Sequence, residues 1–305
     1  MAFFGMSKVF HVAAVQMRCS ADRESNLENA ERLVRAAAAD GAQIVCLPEI
    51  FTGQYFCQSE SVEGFRLAET IPGPSTERMQ SLARELETVL VVPLFEKRSE
   101  GVYHNSAAII DADGSLLGVY RKMHIPDDPG YYEKYYFTPG DLGFRSWTTH
   151  FGRIGVCICW DQWFPEAARL TAMSGAHVLF YPTAIGWHPG TDPELARAQH
   201  EAWQISMRAH SVANGCYVVA ANRGGHEKPA GGNGIDFWGR SFISDPHGRL
   251  AAEIEGDREG YIIQQVDPSV VDHQRVEWPF FRDRRIDAYE GLTKRFLDAE
   301  DAPGG

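Results

Sequence analysis

No stretch of this chain approaches the roughly 20 consecutive apolar residues that a membrane-spanning helix requires, which argues against a helical membrane protein. Nor is there a long basic run. With a formal net charge of −12, the chain is a poor candidate for binding nucleic acid or anionic lipid. Its six cysteines, at 19, 46, 57, 157, 159 and 216, are too scattered to form a disulfide framework. The closest pair, Cys157 and Cys159, has C-x-C spacing without a second ligand pair, so a structural metal site has little support. The glycine-rich "NRGGHEKPAGGNG" matches no phosphate-binding pattern and reads as a flexible loop at the mouth of a site. The N-terminal "MAFFGMSKVFHVAAVQM" lacks a basic segment before its apolar part, so it reads as a disordered lead over residues 1–8 followed by a strand. The cytoplasm is the default location. Without a low-complexity linker, residues 1–305 read as one domain, with a tail over 268–305.

What is present is a core-forming composition and a rhythm. Hydrophobic residues make up 44% of the 305, enough to exclude global disorder. Amphipathic helical stretches that end at glycine lead into short apolar strands three times, in "NLENAERLVRAAAADGAQIVCLPE", "PEAARLTAMSGAHVLFYPT" and "QISMRAHSVANGCYVVAANR". A fourth unit, "MQSLARELETVLVVPLFE", does without the glycine. Runs such as Ile44–Leu47, Val178–Tyr181 and Tyr217–Ala220 are apolar on both faces, as strands covered on both sides must be. Hairpins are expected at Asp113-Gly114 and around His247-Gly248. The pattern predicts an α/β fold of two packed sheets with helices outside. The tail "VEWPFFRDRRIDAY" mixes aromatics with arginines. That composition suits either a subunit interface or a tail folded back on its own domain.

Three charged or nucleophilic residues stand directly after apolar strands. In "RIGVCIC" the alternation points Gly155, Cys157 and Cys159 to one face and Ile154, Val156 and Ile158 to the other. Cys159 falls at the strand end, before a helix that should start at Pro165 and stop at Gly175. There a side chain can face a cleft, and the Trp160 N–H can help to hold an oxyanion. The alternative is that both cysteines are small core hydrophobes. Glu49 follows "QIVCLP", and Lys122 follows "LLGVYR". Each could be a solvated loop residue, yet open sheets gather working residues at the carboxyl ends of their strands. An ammonium would favour the thiolate, and a carboxylate could take the thiol proton and later activate water. His104, His124, His150 and His177 are available for a Cys–His pair, but nothing in the sequence joins any of them to Cys159.

"CLPEIF", "YRKMHIP" and "CICWDQWFPEAAR" together resemble the nitrilase superfamily of carbon–nitrogen hydrolases, in motif order and over roughly His11 to Leu297. The resemblance implies a four-layer α-β-β-α sandwich and a Glu-Lys-Cys triad. Glu49 would be the general base, Lys122 the oxyanion donor and Cys159 the nucleophile, with Glu133 of "GYYEKYYFTPGD" positioning Lys122. It also implies subunits paired near the Cys-bearing helix and its arginine-rich tail, as a homodimer or larger homo-oligomer. Neither metal nor organic cofactor is called for. "FTGQYFCQ", "HIPDDPGYYEKYYFTPGD" and "FYPTAIG" are most similar to the N-carbamoylputrescine amidase branch, which implies a small-molecule ureido substrate. Tyr55, Trp160, Thr183 and Ala184 are the expected substrate-binding residues. One departure concerns the distal end of that substrate. After "PTAIG" this chain carries Trp187-His188 where the branch often has Ser-Glu, and Asp192, Glu194 or Glu201 are the candidate replacements. An ω-amidase or β-ureidopropionase-like enzyme is the near alternative, and its pocket should present an arginine or lysine. A non-catalytic binding or assembly protein is the alternative of another class.

Overall fold

The computed structural model describes residues 8–297; the expected lead falls, apart from Lys8, outside the described residues, as does the end of the tail. Two six-stranded sheets form the centre. The first runs β15 (Gly260–Val266), β1 (Phe10–Gln16), β2 (Ile44–Cys46), β3 (Val89–Ser99), β4 (Val102–Ile110), β5 (Leu116–Arg121). The second runs β14 (Leu250–Glu253), β13 (Phe242–Ser244), β10 (Tyr217–Asn222), β8 (Val178–Thr183), β7 (Arg153–Val156), β6 (Ser146–Thr148). In each sheet three central strands are parallel, β1–β2–β3 and β7–β8–β10, and the remaining pairings are antiparallel.

The apolar-on-both-faces reading explains the layers. In β8, Val178 and Phe180 join Val12, Ile44 and Ile109 of the first sheet in a core between the sheets. Leu179 and Tyr181 point the other way, against Trp203 and Met207 of α4 (Pro193–Asn214). The first sheet's outer face is covered in the same manner, Val45 and Leu90 packing with Leu33 of α1 (Arg23–Ala39) and Met79 of α2 (Pro74–Leu86). Helix α3 (Pro165–Met173) completes the second outer layer. The result is the α-β-β-α sandwich. Helix α2, which ends in "LAREL", stops without glycine because Glu87 itself adopts the left-handed cap, at φ 50°.

Two consequences of this topology place the site. Parallel strands share a direction, so β2, β7, β8 and β10 each end beside the parallel neighbour in their own sheet. Strand β5 is antiparallel to β4, which is antiparallel to β3; β5 therefore ends on the same side as β2 and β3. A small third sheet, β9 (Gly186–Trp187), β12 (Ile235–Trp238) and β11 (Gly224–Glu227), builds one wall there. Within α5 (Pro268–Glu277), Arg275 donates to the carbonyls of Asn214 (3.0 Å) and Ala176 (2.9 Å), and beyond it the tail folds back on the same domain, Phe281 lying against Arg169 and Arg275. No helix among the described residues is long and apolar enough to cross a membrane.

Candidate active site

Pro48 stops β2, and Glu49 follows with no exposed surface. Lys122 follows β5 and is equally buried, its own N–H and C=O tied to Asn105 and Gly140 (2.8 Å each). Its ammonium donates to Glu49 Oε1 at 2.8 Å and to Glu133 Oε2 at 2.7 Å. Burial alone would pull this ammonium down; Glu133 and Glu49 outweigh it and hold Lys122 well above its ordinary range. Burial pushes Glu133 up to about 7, against the pull of Lys122. Asn105 of β4 donates to Glu49 Oε1 at 2.6 Å. The other carboxylate oxygen, Glu49 Oε2, is buried with no hydrogen-bond partner among the described residues.

Cys159 opens a 3₁₀ turn, Cys159–Trp163, at φ 42°, a conformation uncommon outside glycine. Here the strand alternation fails. Strand β7 ends at Val156, and the left-handed backbone turns Cys159 away from the face that Cys157 occupies. Cys157 packs on the helix side with Ala168 and Met207, whereas Cys159 joins the core between the sheets. The turn is pinned by Asp161, fully buried, whose Oδ2 accepts from Ile158 N (2.9 Å) and Tyr120 Oη (2.7 Å) and whose Oδ1 accepts from His124 N (3.0 Å). Burial raises the Cys159 thiol well above its ordinary range, Glu49 adds to this, and Lys122 opposes it. The sulfur thus lies within electrostatic reach of both. It also lies 3.8 Å from the Ala184 carbonyl. Among the described residues no hydrogen bond joins a histidine to Cys159: His104 bonds to the Thr138 carbonyl and His124 to Asp161.

Cys159 opens onto a cavity of about 460 Å³ whose walls include Trp160, Trp163, Trp187, Trp238, Tyr131 and Ala184. Among the described residues that line it, Asp128 is the only acid, and there is neither lysine nor arginine. Two of the four expected substrate contacts, Trp160 and Ala184, are in this wall; Tyr55 and Thr183 are not. Tyr55 is fully buried behind the site because its hydroxyl donates to Glu133 Oε1 at 2.6 Å. Thr183 turns inward to Gln162 Oε1 at 3.0 Å. The three candidate replacement acids are also elsewhere. Asp192 caps α4, accepting from the Glu194 and Leu195 N–H groups, and Glu194 and Glu201 are exposed outside the lining. His188 does line the cavity. The sequence reading missed Asn105, Asp161 and Asp128. A signal for the first was present, since "HNS" puts three polar residues at the mouth of an otherwise apolar strand.

Comparisons with known proteins identify the family. The carbon-nitrogen hydrolase model matches residues 11–276. This chain belongs to the carbon–nitrogen hydrolase family. It is therefore an enzyme that hydrolyses a C–N bond in a small-molecule substrate, and the non-catalytic reading is set aside. As a carbon–nitrogen hydrolase it is 48% identical to an N-carbamoylputrescine amidase of Solanum lycopersicum, over 94% of this chain and 95% of that one. It is 41% identical to a citrullinase of Francisella tularensis subsp. tularensis, over 93% and 98%. A crystal structure of a carbon-nitrogen hydrolase from Helicobacter pylori G27 superposes with a TM-score of 0.92 at 41% identity, covering 95% of this chain and all of that one.

Proposed function

We propose that this hydrolase converts N-carbamoylputrescine and water to putrescine, carbon dioxide and ammonia. The observation that carries the substrate choice is the cavity lining: aromatic walls and one acidic residue, Asp128, without a lysine or arginine. Aromatic faces and a carboxylate suit a distal ammonium. A substrate ending in a carboxylate alone, as an ω-amide acid does, would leave its charge unpaired there, and citrulline, which ends in an ammonium and a carboxylate, would leave the carboxylate unpaired. The ureido group itself is common to carbamoylputrescine and citrulline, so the distal end is what discriminates.

The reaction steps follow the geometry. Glu49, through its unpartnered Oε2, takes the Cys159 thiol proton as the sulfur attacks the ureido carbonyl. Lys122 and the Trp160 N–H hold the oxyanion. Glu49 returns the proton to the departing amine, leaving a thiocarbamate on the sulfur. Water, deprotonated by Glu49, then displaces the sulfur, and the carbamic acid product falls to carbon dioxide and amine. Glu133 positions Lys122 and is itself held by Tyr55.

Replacing Asp128 with asparagine should raise KM for N-carbamoylputrescine about tenfold, equivalent to losing ~1.4 kcal/mol of one charge contact. The kcat should hold, and turnover of an ω-amide acid lacking the ammonium should not fall. Ammonia release measured on both substrates checks this; an unchanged KM would remove the substrate assignment. A second expectation concerns pH. Since burial pushes Glu133 up to about 7, lowering the pH through that region neutralises it and loosens its hold on the ammonium. The kcat/KM should fall on the acid side with an inflection near 7. A permanently neutral glutamine at 133 should sit on the low plateau, about 10- to 100-fold down, without that inflection. Retention of the inflection in the Glu133→Gln enzyme would assign it to another group.

We also propose that two subunits pair through the face of α3 and the folded-back tail. Leu170, Met173, Val276, Trp278, Ile286 and Phe296 are large apolar residues exposed on these segments. Sedimentation at micromolar concentration should give a dimer or larger species, and a lone monomer would contradict the pairing. The six free, buried cysteines support a reducing cytoplasm, to be checked by cell fractionation.

A further inference from the structure

Arg223 is one of the largest fully buried side chains in the molecule, and it lies outside the residues that touch the cavity. It stands directly after β10, and its guanidinium reaches across to the segment that follows β2. Nη2 donates to the carbonyls of Glu49 (2.9 Å) and Ile50 (2.7 Å), and both terminal nitrogens reach the Gly53 carbonyl at 3.2 Å. Glu227, also buried, accepts from Nη1 at 2.7 Å. The same carboxylate accepts from the Tyr55 N–H at 2.7 Å. The guanidinium plane lies against Phe237, 5.4 Å from its ring centre.

The backbone it holds is one that would not hold itself. Ile50 sits at φ 48°, a region β-branched residues rarely adopt. The chain must adopt it to reverse after Pro48 while keeping Glu49 aimed at Lys122. Three carbonyls converging on one planar fork is a demand only arginine meets, because lysine offers a point charge without the fork. A buried ion pair used for packing alone could be replaced by apolar side chains without loss. This one is spent on the main chain of Glu49 itself and, through Glu227 and Tyr55, on the residue whose hydroxyl holds Glu133. The preceding residue, Asn222, acts in parallel. It bonds both the N–H (3.1 Å) and the C=O (3.0 Å) of Ile185, next to the Ala184 carbonyl that faces the Cys159 sulfur.

We infer that Arg223, held by Glu227, is a positioning residue that fixes the carboxylate of Glu49 by clamping the backbone of residues 49–53. The inference rests on Glu49 being the general base, and its test separates the two. The Arg223→Lys enzyme should lose about 30-fold in kcat, within the range that an ångström of misplacement can cost. KM for N-carbamoylputrescine should stay within about twofold, because nothing in the cavity wall has changed. The rate of Cys159 alkylation by iodoacetamide, located by peptide mass, should fall in proportion. In the Glu49→Gln background the same substitution should produce no further drop in alkylation rate, because the carboxylate it positions is gone.

If Arg223→Lys does not fold, Glu227→Gln serves in its place: it keeps the acceptor for Tyr55 and removes the countercharge. It should show a smaller loss of the same sign, again absent beside Glu49→Gln. A lower melting temperature with kcat and alkylation intact would make Arg223 purely structural and overturn the inference. An equal further loss in the Glu49→Gln background would do the same. Should Glu49→Gln alone leave both rates untouched, the base assignment falls, and the clamp falls with it.

Discussion

Cys159→Ala should lower turnover of N-carbamoylputrescine by at least about 10⁴-fold, because groups that act as one unit lose nearly all their joint advantage when one is removed. Cys157→Ala, two residues away, should keep kcat and KM within about threefold. The two sulfurs face different layers: Cys159 opens onto the cavity, while Cys157 is enclosed with the α3 and α4 side chains and lies 3.4 Å from Thr171 Oγ1. Losing Cys157 should cost about 1 kcal/mol of stability and no chemistry. Its thiol is also held up by burial, then by Asp161, and has no ammonium to favour ionisation. Ammonia release and thermal melts on both variants check the pair. A Cys159→Ala enzyme that turns over normally would end the nucleophile assignment.

Removing Lys122 should have the largest combined effect on stability and activity. Its ammonium lies between Glu49 and Glu133, and all three are fully buried. In the Lys122→Ala enzyme two carboxylates would face each other without a cation. Breaking a buried ion pair from one side costs about 3–5 kcal/mol, much of it the penalty of the charge left behind. The melting temperature should drop accordingly, and activity should fall by roughly 10³-fold with the loss of an oxyanion donor. The two effects can be separated. Combining Lys122→Met with Glu133→Gln removes a charge of each sign and should recover much of the stability, while turnover stays down. If the double variant recovers turnover as well, Lys122 serves folding rather than the reaction.

Strand ends were the legible part of this site. Glu49, Lys122 and Cys159 each follow an apolar run, and an ion or thiol there is conspicuous because burying it is costly unless it has work or a partner. The layers were legible for a related reason, since β8 and β10 are apolar on both faces and must be covered twice. What alternation could not convey was the direction of Cys159. The period of two holds inside a strand, and the left-handed residue at 159 lies just beyond it. Tyr55 and Thr183 read as pocket walls because aromatic and small polar residues suit walls and cores alike. Only the partners Glu133 and Gln162 reveal that they face inward. Asp128 drew no attention in a loop carrying two adjacent acids, and nothing local tells the acid at the cavity from its neighbour. Arg223 was silent for the same reason, its Glu49 partner being 174 residues away along the chain, and the polar signal at Asn105 named no partner because Glu49 is 56 residues away.

The proposal that sulfur, ammonium and carboxylate act together on a ureido carbon is tested most directly by catching the intermediate. The unaltered enzyme, mixed with N-carbamoylputrescine and quenched during turnover, should carry a thiocarbamate that peptide mass analysis locates on the segment containing Cys159 and assigns to that sulfur. The mass of the adduct would also show which nitrogen had left. An adduct on Cys157, or steady hydrolysis without any covalent species on Cys159, would contradict the mechanism.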